Sequence, residues 1–88
     1  MRLILYSKQG CHLCEGLEEK LAAATNIQFS LEIRDITTRD DWFDRYQYEV
    51  PVLCQDRNGA EIPLPRLSPR ASVAELERLL QKYLSTNT

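Results

Sequence analysis

Tyr6-Ser7-Lys8-Gln9-Gly10-Cys11-His12-Leu13-Cys14 joins three signals: the end of an apolar strand, a glycine that permits a turn, and two cysteines that open a helix. Two thiols with two residues between them can close on each other, because residues three apart sit side by side in the first helical turn. Cys11 comes first and falls at the expected helix N-terminus. There, unpaired backbone N–H groups and the positive end of the helix dipole favour an anion, and a thiolate is one. Lys8 and the His12 imidazole add positive or donor character, surroundings that lower a cysteine pKa below its free value. Cys11 is therefore the candidate nucleophile, with Lys8 and His12 as its tuners. Cys14, one turn deeper, is the candidate resolving thiol.

Working outward, 88 residues make one small domain spanning 1–88, with enough apolar content for a core and little to spare. A formal charge of −2 with scattered basic residues lacks the electrostatic footprint of a nucleic-acid binder. Leu3 to Tyr6 is too short an apolar run for a signal peptide or a membrane span, so a cytoplasmic protein without a membrane partner is expected. Three cysteines are too few, and odd in number, for a disulfide scaffold. In a reducing compartment the pair then reads as a catalyst or a metal ligand and not as a staple.

Arg2 to Tyr6, apolar without clean alternation, suits a short strand buried on both faces. From Cys11 to about Ala24, Leu13, Leu17, Leu21 and Ala24 recur at helical spacing, with Glu15, Glu18 and Glu19 on a solvated face in the early half. Ile27, Phe29, Leu31 and Ile33 alternate with Gln28, Ser30, Glu32 and Arg34, which predicts a strand at an edge or half-covered position. Strand, helix and strand with this crossover imply a parallel pair. Thr38 with Asp41 resembles an N-cap for a short helix through about Tyr46, whose Trp42, Phe43 and Tyr46 read as core.

Pro51 should begin the next strand, Val50-Pro51-Val52-Leu53-Cys54, in which Cys54 reads as a small core hydrophobe. Asp56-Arg57-Asn58-Gly59 turns the chain and Ala60 to Leu64 returns as a hairpin with a longer loop. Prolines 63, 65 and 69 make an irregular stretch to Ala71, on which Arg66 and Arg70 read as solvated surface or as receivers of an anionic substrate end. Ser72 and Glu75 form a capping box ahead of a closing helix with Val73, Leu76, Leu79, Leu80, Tyr83 and Leu84 on one face. Ser85 to Thr88 is a polar tail expected to fray.

The order β-α-β-α-β-β-α, the run from Tyr6 to Cys14, and Val50-Pro51 ahead of a hairpin resemble the glutaredoxins of the thioredoxin-like superfamily. The closest subgroup is that of small, single-domain Cys-x-x-Cys proteins. This resemblance spans nearly the whole chain. It implies an α/β fold with a four-stranded mixed sheet, helices on both faces, strand order 2-1-3-4, and the last two strands antiparallel to the first two. It matches Cys11 to the attacking cysteine, Cys14 to the resolving cysteine, and Lys8 to the lysine that steadies thiolate and meets a glutathione carboxylate. Pro51 matches the family's cis-proline, and Val50 the residue whose backbone pairs with glutathione or a substrate peptide. Tyr6 and Leu13 complete the substrate-binding set on this basis. The chain also departs from the family. His12-Leu13 replaces the usual Pro-Tyr, and Leu64-Pro65-Arg66-Leu67-Ser68-Pro69-Arg70 stands where glutaredoxins grip the γ-glutamyl end; prolines withhold the N–H donors of such a cradle.

The expected chemistry is thiol–disulfide exchange with protein or glutathione mixed disulfides, needing no cofactor, with glutathione or a thioredoxin reductase as the reductant. A monomer is expected. Two rival readings share the same sulfurs: an iron–sulfur cluster held between two chains, and a binding module that kept the fold without turnover. A structural zinc site wants four ligands in two clusters; the sequence offers Cys11, Cys14, Cys54 and His12, but His12 sits between the first two and would have to fold back, so no metal site is expected.

Overall fold

A computed structural model describes residues 1–85, and the tail residues 86–88 lie outside the described part. The chain runs β1 (Arg2–Ser7), α1 (His12–Ala23), β2 (Ser30–Asp35), a 3₁₀ turn (Ile36–Thr38), α2 (Asp40–Tyr46), β3 (Val52–Arg57), β4 (Ala60–Pro63) and α3 (Val73–Ser85). The four strands form one sheet in the order β2-β1-β3-β4. β1 pairs parallel with β2 from Arg2↔Ser30 to Ser7↔Asp35, and antiparallel with β3. β3 in turn pairs antiparallel with β4. β4 therefore points the same way as β1, which corrects the expectation that both last strands oppose the first two. A tight hairpin reverses the chain once more.

β1 is central and covered on both faces, as its apolar run predicts. Leu3 and Leu5 face a core completed by Leu21, Leu53, Leu76 and Leu80, beneath α1 and α3. Ile4 and Tyr6 face the opposite core with Ile36, Tyr46 and Cys54, beneath α2. Alternate side chains of one strand thus feed two layers, the geometry of a sheet with helices on both sides.

Three local expectations are corrected. β2 starts at Ser30 and not at Ile27, because its partner β1 starts at Arg2 and earlier residues have no strand to pair with. Ile27 is still buried among the α1 and α3 residues. β2 is an edge strand, as its alternation suggested, with Ile33 half exposed.

Thr38 does not cap α2: its hydroxyl donates to the Asp35 carbonyl at 2.7 Å, while the Asp35 side chain accepts the Thr37 N–H and caps the 3₁₀ turn. Arg39 takes the N-cap position of α2 without a side-chain cap bond and instead forks onto Asp41, two N–H groups at 3.0 Å each. The β3–β4 loop is shorter than expected. Arg57 pairs directly with Ala60, and Asn58 and Gly59 take φ of 54° and 87°. Two successive positive φ values are the mark of a type I′ turn, whose twist matches the flanking strands. Half of the expected capping box forms at α3: Ser72 Oγ accepts the Glu75 N–H at 3.1 Å, while the Glu75 carboxylate meets the Ser72 hydroxyl at 3.4 Å.

Candidate active site

The dithiol sits where β1 passes into α1. Gly10 has φ of 78°, a conformation that side chains disfavour, and lets the chain turn so that the Cys11 N–H reaches the Lys8 carbonyl at 3.3 Å. Cys11 is then the extended N-cap residue of α1, and its Sγ accepts the Cys14 N–H at 3.2 Å. That N–H is one of the donors a helix start leaves unpaired, so an anionic sulfur at Cys11 meets a fixed donor and the helix dipole together. Cys11 and Cys14 are joined as a disulfide with their Cα atoms 5.2 Å apart, inside the usual span for such a bond. Cys14 is 1% exposed whereas Cys11 is only partly covered. Of the two sulfurs, Cys11 is therefore the one that can be reached from outside.

The two tuners are placed differently from one another. Lys8 shapes the turn through its carbonyl, and its ammonium lies 5.7 Å from the centre of the Phe43 ring. His12 is almost wholly in solvent, with Nδ1 3.8 Å from Glu15 Oε2.

Beside the disulfide lies a groove of about 510 Å³, bordered by His12, Leu13 and Leu17 of α1, by Pro51, and by Leu64 and Leu67 of the segment after β4. The Val50–Pro51 peptide bond is cis. Leu13 and Pro51 thus line the same groove. Val50 is a partial correction. Its side chain packs toward α2, and its N–H already donates to the Tyr46 carbonyl at 3.1 Å, so that N–H is not open to a substrate.

Arg66 is exposed, as expected of solvated surface, and one of its guanidinium N–H groups donates to the Glu49 carbonyl at 2.5 Å. From the other side Lys20 Nζ donates to the Pro69 carbonyl at 2.6 Å. These two ties, which sequence reasoning missed, fasten the proline-rich segment over the groove. Neither leaves a motif, since both accept on backbone carbonyls remote in sequence.

Tyr6 is corrected outright. It is 3% exposed and faces the α2 layer, away from the groove, because the strand alternation that points Leu5 to α1 and α3 points Tyr6 the other way. Its hydroxyl donates to Glu61 and accepts from Arg34 at 2.9 Å, and its ring stacks on Tyr46 with centroids 4.3 Å apart. Burial first, then the Glu61 carboxylate, pushes its phenol up to about 12 from 10.0. Tyr6→Phe is expected to cost about 1.5–3 kcal/mol, the worth of a hydrogen bond to charged partners. The unfolded phenol ionises near 10 and the folded one about 12, so this contribution is complete below pH 10. Denaturant melts should show the gap between wild type and variant narrowing as pH climbs through that window.

Cys54 is 1% exposed inside the same layer, the small core hydrophobe expected from its strand, and burial pushes its thiol up. Labelling the reduced native protein with iodoacetamide should therefore add one group rapidly, at Cys11. Labels on Cys14 and Cys54 should require unfolding, as peptide mass spectrometry would show.

A glutaredoxin-like domain model (DUF836) matches residues 2–81. The chain belongs to this glutaredoxin-like family. Among solved structures, a structural-genomics target protein from X. campestris is 30% identical. Its crystal structure aligns over 91% of this chain and 96% of its own, with a TM-score of 0.63. Its solution structure aligns over 93% and 95%, with a TM-score of 0.60. Thioredoxin 1 of the thermophilic eubacterium Thermosipho africanus, 16% identical over 99% of this chain and 98% of its own, shares the fold at a TM-score of 0.67. No curated protein matches the sequence. This glutaredoxin-like domain thus has the thioredoxin-like fold and a Cys-x-x-Cys pair at the start of its first helix. Among the described residues, no helix is long and apolar enough to cross a membrane.

Proposed function

We propose that this glutaredoxin-like domain is a thiol–disulfide oxidoreductase working through Cys11 and Cys14. The observation that carries the proposal is the asymmetry of the pair: one sulfur at the helix cap, reachable and given a backbone donor, and its partner buried within bonding reach. The reduced Cys11 thiolate attacks a substrate disulfide, one substrate sulfur leaves as a thiol after taking up a proton, and a mixed disulfide forms. Cys14 then gives up its proton and attacks Cys11 Sγ. The second substrate sulfur leaves, the substrate has gained two electrons, and the Cys11–Cys14 bond holds the oxidised state.

Backbone donation to Cys11 lowers the cost of the thiolate as nucleophile and, in the second step, as leaving group. The groove running from Leu13 to Pro51 is where the substrate chain lies. A dithiol source in the cytoplasm resets the pair, and the domain works as a monomer. The test is insulin-disulfide reduction driven by dithiothreitol. Turnover well above the uncatalysed rate, together with the loss of two hydrogens by mass on mild oxidation of the protein, supports the proposal; a rate equal to the protein-free control overturns it.

A further inference from the structure

We propose that the inner part of the groove, running along α1 away from the sulfurs, binds a soluble aliphatic carboxylate, with its chain among the leucines and its anionic head at Lys20. This site is separate from the exchange chemistry, which takes place at the outer end beside Cys11. On α1 the lining consists of Leu13, Gly16, Leu17 and Lys20, spaced to share one helix face. From Leu13 to Lys20 the helical rise covers about 10 Å.

The chain of such a ligand has an apolar bed. Leu17, Leu67 and Leu79 are half-buried along the inner part, and the buried Leu64 and Leu76 supply the rest of its apolar lining. Nothing stands within 4 Å of where a Cβ on Gly16 would be, so that turn of α1 adds width to the trough. A volume of about 510 Å³ falls within the range of small-molecule sites.

The charges on the lining choose the head. Glu49 is the one carboxylate among the lining residues, and it sits with Tyr48 near Pro51, where Arg66 donates to its carbonyl. Lys20 lies two helical turns further along α1 from the sulfurs. Its Nζ donates to the Pro69 carbonyl at 2.6 Å, and among the described residues it makes no ion pair with a carboxylate. An ammonium carries three donors, so two remain for a ligand. A half-buried cation whose partner is a neutral carbonyl is the complement of an anion, and a leucine-lined trough leading to it is the complement of an aliphatic chain.

The experiment titrates the oxidised full chain, whose closed disulfide takes no part in binding, with octanoate, hexanoate and octan-1-ol while amide NMR signals are followed. Octanoate is expected to shift the signals of Leu17, Lys20, Leu67 and Leu79 saturably, with a Kd of about 1 mM or tighter. Hexanoate, shorter by two methylenes, should bind about five- to tenfold more weakly, and octan-1-ol, which keeps the chain and loses the charge, about three- to fivefold more weakly. Lys20→Met keeps the stem of the side chain and should bring the acid and the alcohol to equal affinity. Absence of saturation at those signals, or saturable shifts confined to other faces of the protein, overturns the proposal. So does octan-1-ol or hexanoate binding as tightly as octanoate, or a preference for the acid that survives Lys20→Met. The wild-type comparison of acid with alcohol decides the point whatever the variant does, and insulin-disulfide reduction is unaffected by any of these outcomes.

Discussion

Disulfide reduction is expected to fall to the uncatalysed background when Cys11 is replaced by serine, and to stall after one bond exchange when Cys14 is replaced instead. A serine hydroxyl is far less acidic than a thiol, and the donors at the helix cap cannot ionise it enough to attack sulfur. Nor can the buried Cys14, 1% exposed, take over the encounter with substrate. In Cys14→Ser the first attack proceeds, but nothing one turn away can displace the substrate. A mixed disulfide on Cys11 should accumulate, visible on a non-reducing gel and released by dithiothreitol. Wild-type turnover in Cys11→Ser would remove the basis for assigning attack to that residue. Accumulated mixed disulfide in that variant would instead assign the first attack to Cys14.

Leu5→Ala is expected to lower stability by about 2–5 kcal/mol, the cost of truncating a buried leucine and leaving a cavity. Leu5 is 0% exposed on the central strand and packs where α1 and α3 meet the sheet, so its neighbours, held by two helices and two strands, have little freedom to collapse inward. Against a total of about 5–15 kcal/mol for a natural domain, that is a large share. For a chain of this size it corresponds to a fall in melting temperature of roughly 10–30 °C. Ile33→Ala on the β2 edge is the comparison: 50% exposed, it should cost under about 1 kcal/mol. Equal losses at the two positions would contradict the two-layer packing around β1.

Much of the candidate site was legible because it is local. The spacing of Cys11 and Cys14, Gly10 ahead of them and the helical period after them specify a capped helix start within a dozen residues, where backbone geometry dominates. The same holds for the Ser72–Glu75 capping box and for β1, whose unbroken apolar run needs cover on both sides. Pro51 beside a groove came from resemblance, which transmits a tertiary arrangement that no local pattern contains.

The corrections share one physical cause, competition for hydrogen-bond partners, local at Thr38 and Val50 and distant in sequence at Tyr6. Thr38 is a good cap in isolation, yet Asp35 and its own bond to the Asp35 carbonyl claim the turn first. Tyr6 lies in the decisive stretch, but the pleat of β1 and the positions of Arg34 and Glu61 on β2 and β4 turn it away from the groove. Val50 keeps its place beside Pro51 while its N–H is taken by Tyr46.

Sequence alone, then, determined the dithiol at a helix cap, the alternating strand and helix order, and the two-sided burial of β1, because each arises from neighbours within a turn or a pleat. Only the tertiary structure decided what surrounds the sulfurs. Lys20 and Arg66 reach across the fold to backbone carbonyls, and those long-range bonds turn a proline-rich loop into the wall of an apolar groove.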